Sequence, residues 1–152
     1  MKKVFLTLAF VATGIFGAIN AQDNAIGLRL GYGGEVSYQR ILSDANRLEL
    51  DLGLNVGYGF NLNGVYQWTW DLSQLATGFN WYAGVGAGLG YWDGRNGGNS
   101  YLNVGVLGQV GIEYNFNIPL QLSLDYRPGF YFLGSDPTFW GDGVALGVRY
   151  KF

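Results

Sequence analysis

The sequence predicts an all-β protein, an eight-stranded antiparallel up-and-down transmembrane β-barrel. Three observations carry this prediction. Apolar residues alternate with polar or small ones in eight segments, which is the period of a strand. The chain holds 26 glycines, 17% aromatic and only 13% charged residues. No apolar run after residue 21 is long enough for a spanning helix, so a membrane-embedded chain must close its sheet to pair every backbone group.

The first 21 residues read as a secretory signal peptide. A basic head, Met1 to Lys3, precedes an apolar run from Val4 to Gly17 and a small-residue end at Ala18 to Ala21. Cleavage after Ala21 would leave a single barrel domain, residues 22–152. The alternative is a retained transmembrane helix. The chain has no Cys, which excludes disulfides, thiolate metal sites and an acylated N-terminal Cys.

The third segment alternates most clearly. Leucines at 48, 50, 52 and 54 separate Glu49, Asp51 and Gly53, a pattern that leaves little support for a helix. The other segments alternate in the same way between turn-forming residues. The eight predicted segments are Ala25–Tyr32, Glu35–Leu42, Arg47–Gly59, Asn61–Leu72, Phe79–Trp92, Tyr101–Phe116, Leu120–Leu133 and Gly143–Phe152.

An even number of strands places both termini on the periplasmic side. The predicted periplasmic turns are Ser43–Asn46, Ser73–Gly78 and Asn117–Pro119, and the external loops lie near Gly33 and at Gly59–Gly64, Asp93–Ser100 and Gly134–Asp142. Aromatic residues fall at segment ends on the outward parity, which predicts two girdles at the lipid–water interfaces. Arg40 would face lipid near a periplasmic end, where it can extend its charge towards water.

The last segment, G-V-A-L-G-V-R-Y-K-F, has an apolar face that ends in Tyr150 and Phe152. It resembles the closing strand of bacterial outer-membrane barrels, and the whole region 22–152 resembles small barrels of the OmpX type and the OmpA transmembrane domain. The stretch L-Q-L-S-L-D-Y-R-P, Leu120 to Pro128, resembles a penultimate-strand pattern of such barrels. The resemblance implies an outer-membrane location and an assembly signal at Tyr150 and Phe152, read by the barrel-assembly machinery during insertion. It carries over no wall-tethering role, because no peptidoglycan-binding domain follows.

The inward parity gathers most of the charges. An eight-stranded barrel is just wide enough for side chains to fill its lumen, so a paired charge network is favoured over an ion path. Counting back from the last loop places Asp125 across from Lys151 and Arg127 near Arg149. The predicted lumen network is Arg29, Glu49, Asp51, Glu113, Asp125, Arg127, Arg149 and Lys151, with Glu35 and Asp71 as further inward charges.

A glycine ladder, Gly84, Gly86, Gly88 and Gly90, occupies the inward parity of the fifth segment. It lacks the G-x-G-x-x-G spacing of a dinucleotide site, and no helix follows it. One interpretation is a gap along the lumen. The favoured alternative is room for bulky inward side chains such as Tyr82, Trp92 or Tyr131.

Composition and motifs indicate no enzyme. Small outer-membrane barrels with enzymatic activity need a catalytic His, and this chain has none. The sequence predicts no catalytic, metal or cofactor site, and the absence of a basic stripe argues against nucleic acid. The leading hypothesis is an outer-membrane barrel with a structural or protein-interaction role, as an accessory subunit that contacts lipid and an envelope partner. The alternative function is a narrow pore for ions or small solutes. A soluble lipocalin-like barrel is the alternative fold, but its outside would be polar.

Overall fold

The computed structural model describes residues 23–55, 59–93, 100–133 and 137–152. The predicted signal peptide, residues 1–21, lies outside this part of the chain. Within it, no helix is long and apolar enough to cross a membrane. The strands are β1 Asn24–Leu30, β2 Gly34–Ser43, β3 Asn46–Asn55, β4 Gly59–Asp71, β5 Phe79–Trp92, β6 Tyr101–Asn115, β7 Leu120–Tyr126, β8 Gly129–Leu133, β9 Thr138–Trp140 and β10 Val144–Lys151.

The sheet closes on itself into an eight-stranded antiparallel barrel. Strands β1 to β6 each pair with the next strand in the chain, and β10 pairs with β7 on one side and β1 on the other. At the closing seam Ile26 lies opposite Tyr150 and Leu28 opposite Val148. The short strands β8 and β9 extend the wall beyond β7 and β10. The predicted fold class is confirmed.

The seventh predicted segment is interrupted at Arg127 and Pro128, between β7 and β8. Proline has no N–H to give to a ladder, so a strand tends to break or bulge where it falls. Pairing with β6 resumes after the break, and the Pro128 carbonyl accepts a hydrogen bond from Gly108 N–H. One predicted segment therefore becomes two strands along the same side of the barrel.

The register predicted between the last two segments is wrong. Asp125 lies opposite Ala145 rather than Lys151, and Arg149 lies opposite Gln121 rather than Arg127. The residues assigned to a loop at 134–142 include β9, which pairs with β8 as a hairpin. Part of the supposed loop is the strand β9, so β10 pairs further along β7 than predicted. The residue opposite Asp125 is 145 instead of 151, which is a shift by an even number of residues. An even shift leaves every side chain on its predicted face.

The external loop predicted at Gly59–Gly64 is also wrong. Asn55 pairs with Gly59, so residues 59–64 belong to β4, and residues 56–58 of the third predicted segment lie outside the described ranges. Phe60 and Leu62 keep the outward alternation through this stretch, with 38% and 46% of their surfaces exposed. Gly and Asn suggested a turn, but hydrogen bonding to β3 and β5 stabilises a strand there.

The barrel is apolar outside and polar inside. Leucines such as Leu50, Leu52 and Leu62 are exposed, while Glu49 and Asp51, on the opposite parity of β3, are fully buried. Among the described residues, the buried hydrophobic side chains are few, and the buried polar and charged ones are many. The buried hydrophobic residues are Ala25, Val65, Tyr82, Leu107 and Ala145.

Aromatic side chains cluster on the outer wall near the barrel end where β1 begins at Asn24 and β10 ends just before Phe152. Trp70 stacks on Trp81 with ring centroids 4.2 Å apart, and Tyr114 contacts Phe79 at 4.8 Å and Phe116 at 4.6 Å. Such rings favour a lipid–water boundary. Arg40 is exposed near the same end, on the outer face.

Candidate functional site

The candidate site is the barrel lumen. Its terminal end carries Asn24 and Phe152, whose backbones are hydrogen-bonded to each other. Its loop end lies opposite and carries the β1–β2 turn at residues 31–33. Inward residues of every barrel strand meet between these ends, because alternate side chains of a strand point to one face. They form three layers of charged and amide side chains.

The layer nearest the terminal end centres on Arg47 and Glu113. Arg47 Nη1 lies 2.6 Å from Glu113 Oε2, and its guanidinium sits 4.6 Å from the centre of the Tyr82 ring. Arg47 Nε also donates a hydrogen bond to Gln67. Gln121 donates to the same Glu113 carboxylate at 3.2 Å. Since β3 supplies Arg47 and β6 supplies Glu113, this ion pair spans the lumen.

The middle layer holds the most deeply buried charges. Glu49 accepts hydrogen bonds from Arg149 at 2.9 Å, Gln39 at 2.6 Å and Gln109 at 3.0 Å. Arg149 also donates to Ser37 at 2.9 Å and to Ser123 at 2.8 Å. Both charged side chains are 0% exposed. Their hydrogen bonds offset the cost of taking two ions out of water, and together they fill the centre of the barrel.

The layer nearest the loop end contains two arginines and three carboxylates. Arg29 donates to Asp125 and to Glu35, each at 3.0 Å. Arg127 donates to both oxygens of Glu35, at 2.7 and 2.6 Å, and pairs with Asp51 across the lumen. A carboxylate held by two guanidinium groups is a strong charge-assisted arrangement. These bonds fix the arginine side chains in place.

The structure brings together most of the predicted lumen charges, but not Lys151 or Asp71. Lys151 is half-buried at the terminal end and takes no part in the three layers. Asp71, expected to face inward, is exposed where β4 ends, and its carboxylate accepts bonds from Ser73 N–H and hydroxyl. Arg47 was missed as a network member, although it shares the parity of Glu49 and Asp51. The glutamines 39, 67, 109 and 121 lie on the inward parity of their strands, and all four are buried in the lumen.

Two cavities flank the three layers. The larger, of about 430 Å³, opens at the loop end, and we call it the vestibule. Arg29, Glu35 and Arg127 line its floor, and Tyr131 and Trp140 line its walls. A smaller cavity of about 150 Å³ lies at the terminal end beside Lys151. The buried middle layer separates the two, so the described lumen is not continuous from one end to the other.

The glycine ladder is not uniform. A Cβ on Gly86 would lie 2.0 Å from the Gly64 carbonyl oxygen, so β4 presses directly against this part of β5. At Gly88 a Cβ would lie 2.6 Å from the Asn63 side chain and 3.0 Å from the Tyr131 hydroxyl. Only Gly90 borders the vestibule among the four. Tyr82 packs against Gly111 instead, and the Trp92 side chain lies outside the description.

The two residues of the predicted assembly signal sit at the seam. Tyr150 lies on the outer face with 46% of its surface exposed, between Ile26 and Leu120 on the neighbouring strands. Phe152 follows β10, and its N–H donates to the Asn24 carbonyl at 2.8 Å. The terminal residue is therefore held by backbone bonds that do not depend on its ring.

The lumen offers little to a catalyst or a metal ion. No group of three or more His, Cys, Asp or Glu side chains in the described ranges could hold a metal. Glu49 and Asp51, adjacent carboxylates on one face, each pair with a different arginine. A carboxylate engaged in this way is poorly placed to accept or deliver a proton in a reaction.

The closed sheet, the exposed apolar wall and the buried polar interior place this chain in the class of small eight-stranded barrels with a filled lumen. Known structures of this class are similar to the chain, and both of the following are eight-stranded outer-membrane barrels. The crystal structure of Neisserial surface protein A (NspA) matches with a TM-score of 0.58 and 15% identity, over 85% of this chain and 93% of that one. The N-terminal β-barrel domain of Pseudomonas aeruginosa OprF matches with a TM-score of 0.65 and 15% identity, over 85% and 95%. No family model matches the sequence, and no curated protein matches it.

Proposed function

We propose that the protein is an integral outer-membrane barrel with a closed lumen, which serves a structural or protein-interaction role as an accessory component of the envelope. One observation carries the proposal: the wall is apolar and the interior is charged. Water would strongly disfavour so many exposed leucines, whereas lipid accommodates them. The fold of NspA and of the OprF domain supports the same location. The expected partners are outer-membrane lipid, the barrel-assembly machinery during insertion, and an envelope protein.

The filled middle layer favours this function over a narrow pore. A path for ions would have to pass Glu49, Arg149 and Gln67, all of which are fully buried. Opening it would break several hydrogen bonds to charged groups, each worth about 1.5 to 3 kcal/mol. No enzymatic role is proposed, because the lumen carboxylates that could act as acid or base are bound to arginines.

Cysteine labelling on cells tests the location and the orientation together. The chain has no native Cys, so Tyr32→Cys at the loop end and Asp44→Cys at the terminal end each give one reactive thiol. Tyr32 is 82% exposed and Asp44 lies in the exposed β2–β3 turn. We expect an impermeant maleimide to label Tyr32→Cys on intact cells, and Asp44→Cys only after the outer membrane is permeabilised.

Recovery of both variants in a soluble fraction would contradict the proposed function, and labelling of Asp44→Cys alone on intact cells would reverse the orientation.

The same fractionation, applied to Phe152→Ala, tests whether the Phe152 ring is needed as an assembly signal. We expect less barrel in the outer membrane, while the purified variant keeps a heat-modifiable gel shift because the backbone bonds of residue 152 remain. An unchanged amount in the membrane would show that the ring is not needed.

A further inference from the structure

An apolar groove of about 550 Å³ lies on the outer wall of the barrel, over β5, β6 and the β8–β9 hairpin. Val85, Val106, Phe130 and Phe139 line it and are exposed, and none of its lining side chains carries a polar atom. Because β8 and β9 extend the wall beyond β7 and β10, the groove lies towards the loop end. It belongs to the surface that would face lipid.

One backbone carbonyl in this groove lacks its ladder donor. The N–H of Gly108 donates to the Pro128 carbonyl at 3.0 Å. In an antiparallel ladder such a pair exchanges two hydrogen bonds, so the Gly108 carbonyl should accept one from residue 128. Proline has no N–H, and the return bond does not form. The register is the same before and after this pair, so the bond is missing because of the proline and not because of a bulge.

The backbone of Gly108 is exposed in the groove. Gly108 and Pro128 both line it, Gly108 is half-buried, and a Cβ placed on it would meet nothing within 4 Å. Since glycine has no side chain, the exposed part of this residue is its backbone. Hydrocarbon contains no water to replace the missing donor, so an unpaired carbonyl is costly there. A donor carried by an apolar molecule would therefore be favourable at this point.

The apolar lining and the Gly108 carbonyl together define the chemistry of the occupant. A charged or sugar-like group would lose its hydration against the apolar lining, whereas the hydrocarbon chain of a lipid would not. An unsubstituted acyl chain is apolar but has no hydrogen-bond donor, and its ester oxygens only accept. A hydroxyl group on the chain donates one hydrogen bond and leaves the rest of the chain apolar.

We propose that the groove binds a hydroxylated acyl chain of an outer-membrane lipid, with the chain on Val85, Val106 and Phe130 and its hydroxyl donating to the Gly108 carbonyl. The inference rests on the proposed function, because the groove must face lipid. Its test uses the purified barrel in micelles, so a failure of the cell fractionation and a failure of this inference are distinguishable.

The test compares two esters that differ in one hydroxyl group. The refolded chain without the predicted signal peptide, residues 22–152, is titrated in phosphocholine micelles with methyl β-hydroxymyristate or methyl myristate. NMR follows the carbonyl carbon of Gly108 and the methyl groups of Val85 and Val106. We expect saturable shifts at all three residues with the hydroxylated ester, which should bind about tenfold more tightly than the plain ester. A tenfold difference corresponds to one hydrogen bond.

Pro128→Ala removes the need for the ligand's donor. The alanine supplies the N–H that completes the ladder, so the Gly108 carbonyl is paired within the protein while the other lining residues stay the same. We expect Pro128→Ala to bind the two esters with equal affinity. A tenfold preference for the hydroxylated ester that persists in Pro128→Ala would overturn the inference.

Gly108→Val fills the groove and should abolish the binding of both esters. Gly64→Val is the matched control, because Gly64 is also a half-buried glycine of the outer wall and does not line the groove. A Cβ on Gly64 would meet the Leu50 side chain at 3.4 Å, which is ordinary contact. Gly64→Val should leave binding unchanged. The heat-modifiable gel shift establishes that each variant is folded.

Equal affinity of the two esters for the unchanged barrel would overturn the inference, and so would full binding by Gly108→Val. A second copy of the chain is the other occupant that an apolar groove could take. Shifts at Val85 and Val106 that depend on protein concentration without ester, together with a dimer in light scattering, would assign the groove to a second copy and overturn the assignment to a lipid.

Discussion

Buried charged side chains of this barrel act as its core. In most water-soluble domains apolar groups fill the interior, and buried charges are rare. Here Arg149 and Glu49 occupy the centre, and each is bonded to further polar groups. Removing one member of such a pair leaves the other buried without its counter-charge, which costs far more than the pair contributes while intact.

At the residue scale, Arg149→Ala should destabilise the barrel by about 3 to 5 kcal/mol, because Glu49 loses its buried counter-ion. Urea unfolding followed by tryptophan fluorescence and by the heat-modifiable gel shift measures the change. Arg40→Ala is the matched control, since Arg40 is exposed on the outer face. It should change stability by less than about 1 kcal/mol, as expected near a membrane boundary. Equal unfolding midpoints for the two variants would show that the buried ion pair does not stabilise the barrel.

At the residue scale, the sequence predicted correctly which side chains face the lumen wherever the alternation along a strand determines it. Glu49, Asp51 and Arg29 are inward by alternation alone, and the structure buries them. Lys151 and Asp71 have the same parity but lie at strand ends, where the lumen opens to water. Alternation gives the face of a side chain and not its depth along the barrel axis.

At the element scale, close strand approach depends on glycine. Gly86 faces the backbone of β4, where a Cβ would lie 2.0 Å from the Gly64 carbonyl oxygen. Neither strand can move away without breaking the β4–β5 ladder. The glycine ladder therefore has a packing role at this position, whatever the neighbouring glycines do.

Gly86→Ala should destabilise the barrel by about 1 to 3 kcal/mol, the cost of overpacking against a backbone that cannot shift. Gly108→Ala is the matched control, because a Cβ on Gly108 of the adjacent strand meets nothing within 4 Å. Urea midpoints of both refolded variants provide the comparison. If Gly108→Ala were the more destabilising variant, the close approach of β4 would not explain why residue 86 is a glycine.

Pairing partners across the barrel were harder to predict than strands. Register depends on which residues of two strands are paired, and β9, which pairs with β8, lies within residues assigned to a loop. Residues 59–64 show the same limit, since Gly and Asn in a paired strand look like turn residues until the neighbouring strand is known.

At the scale of the whole molecule, the three layers should close the barrel to ions. We expect the refolded chain without the predicted signal peptide, residues 22–152, to give no stable conductance steps in a planar bilayer at high salt. A gel shift on heating would establish that the silent protein is folded. Stable steps that disappear on Gly88→Trp, next to Tyr131 and Asn63, would contradict a closed lumen and support the narrow pore.

The whole molecule also separates two environments. Its wall is suited to lipid, and among the described residues its vestibule is a polar and aromatic cavity that opens at the loop end. A closed lumen and an open vestibule are compatible because the middle layer lies between them. The arrangement suits a barrel that interacts with a partner at its loop end.

The sequence by itself determined the all-β class, the number of barrel strands and the face of side chains in the middle of the strands, because period-two alternation is a local property of an extended chain. Only the tertiary structure decided which charges pair, where the lumen is filled and where the vestibule opens. Arg127 meets Glu35 and Asp51 across the barrel, far from both in the chain. Such contacts depend on register and closure, which are set by all the strands together and by no single segment.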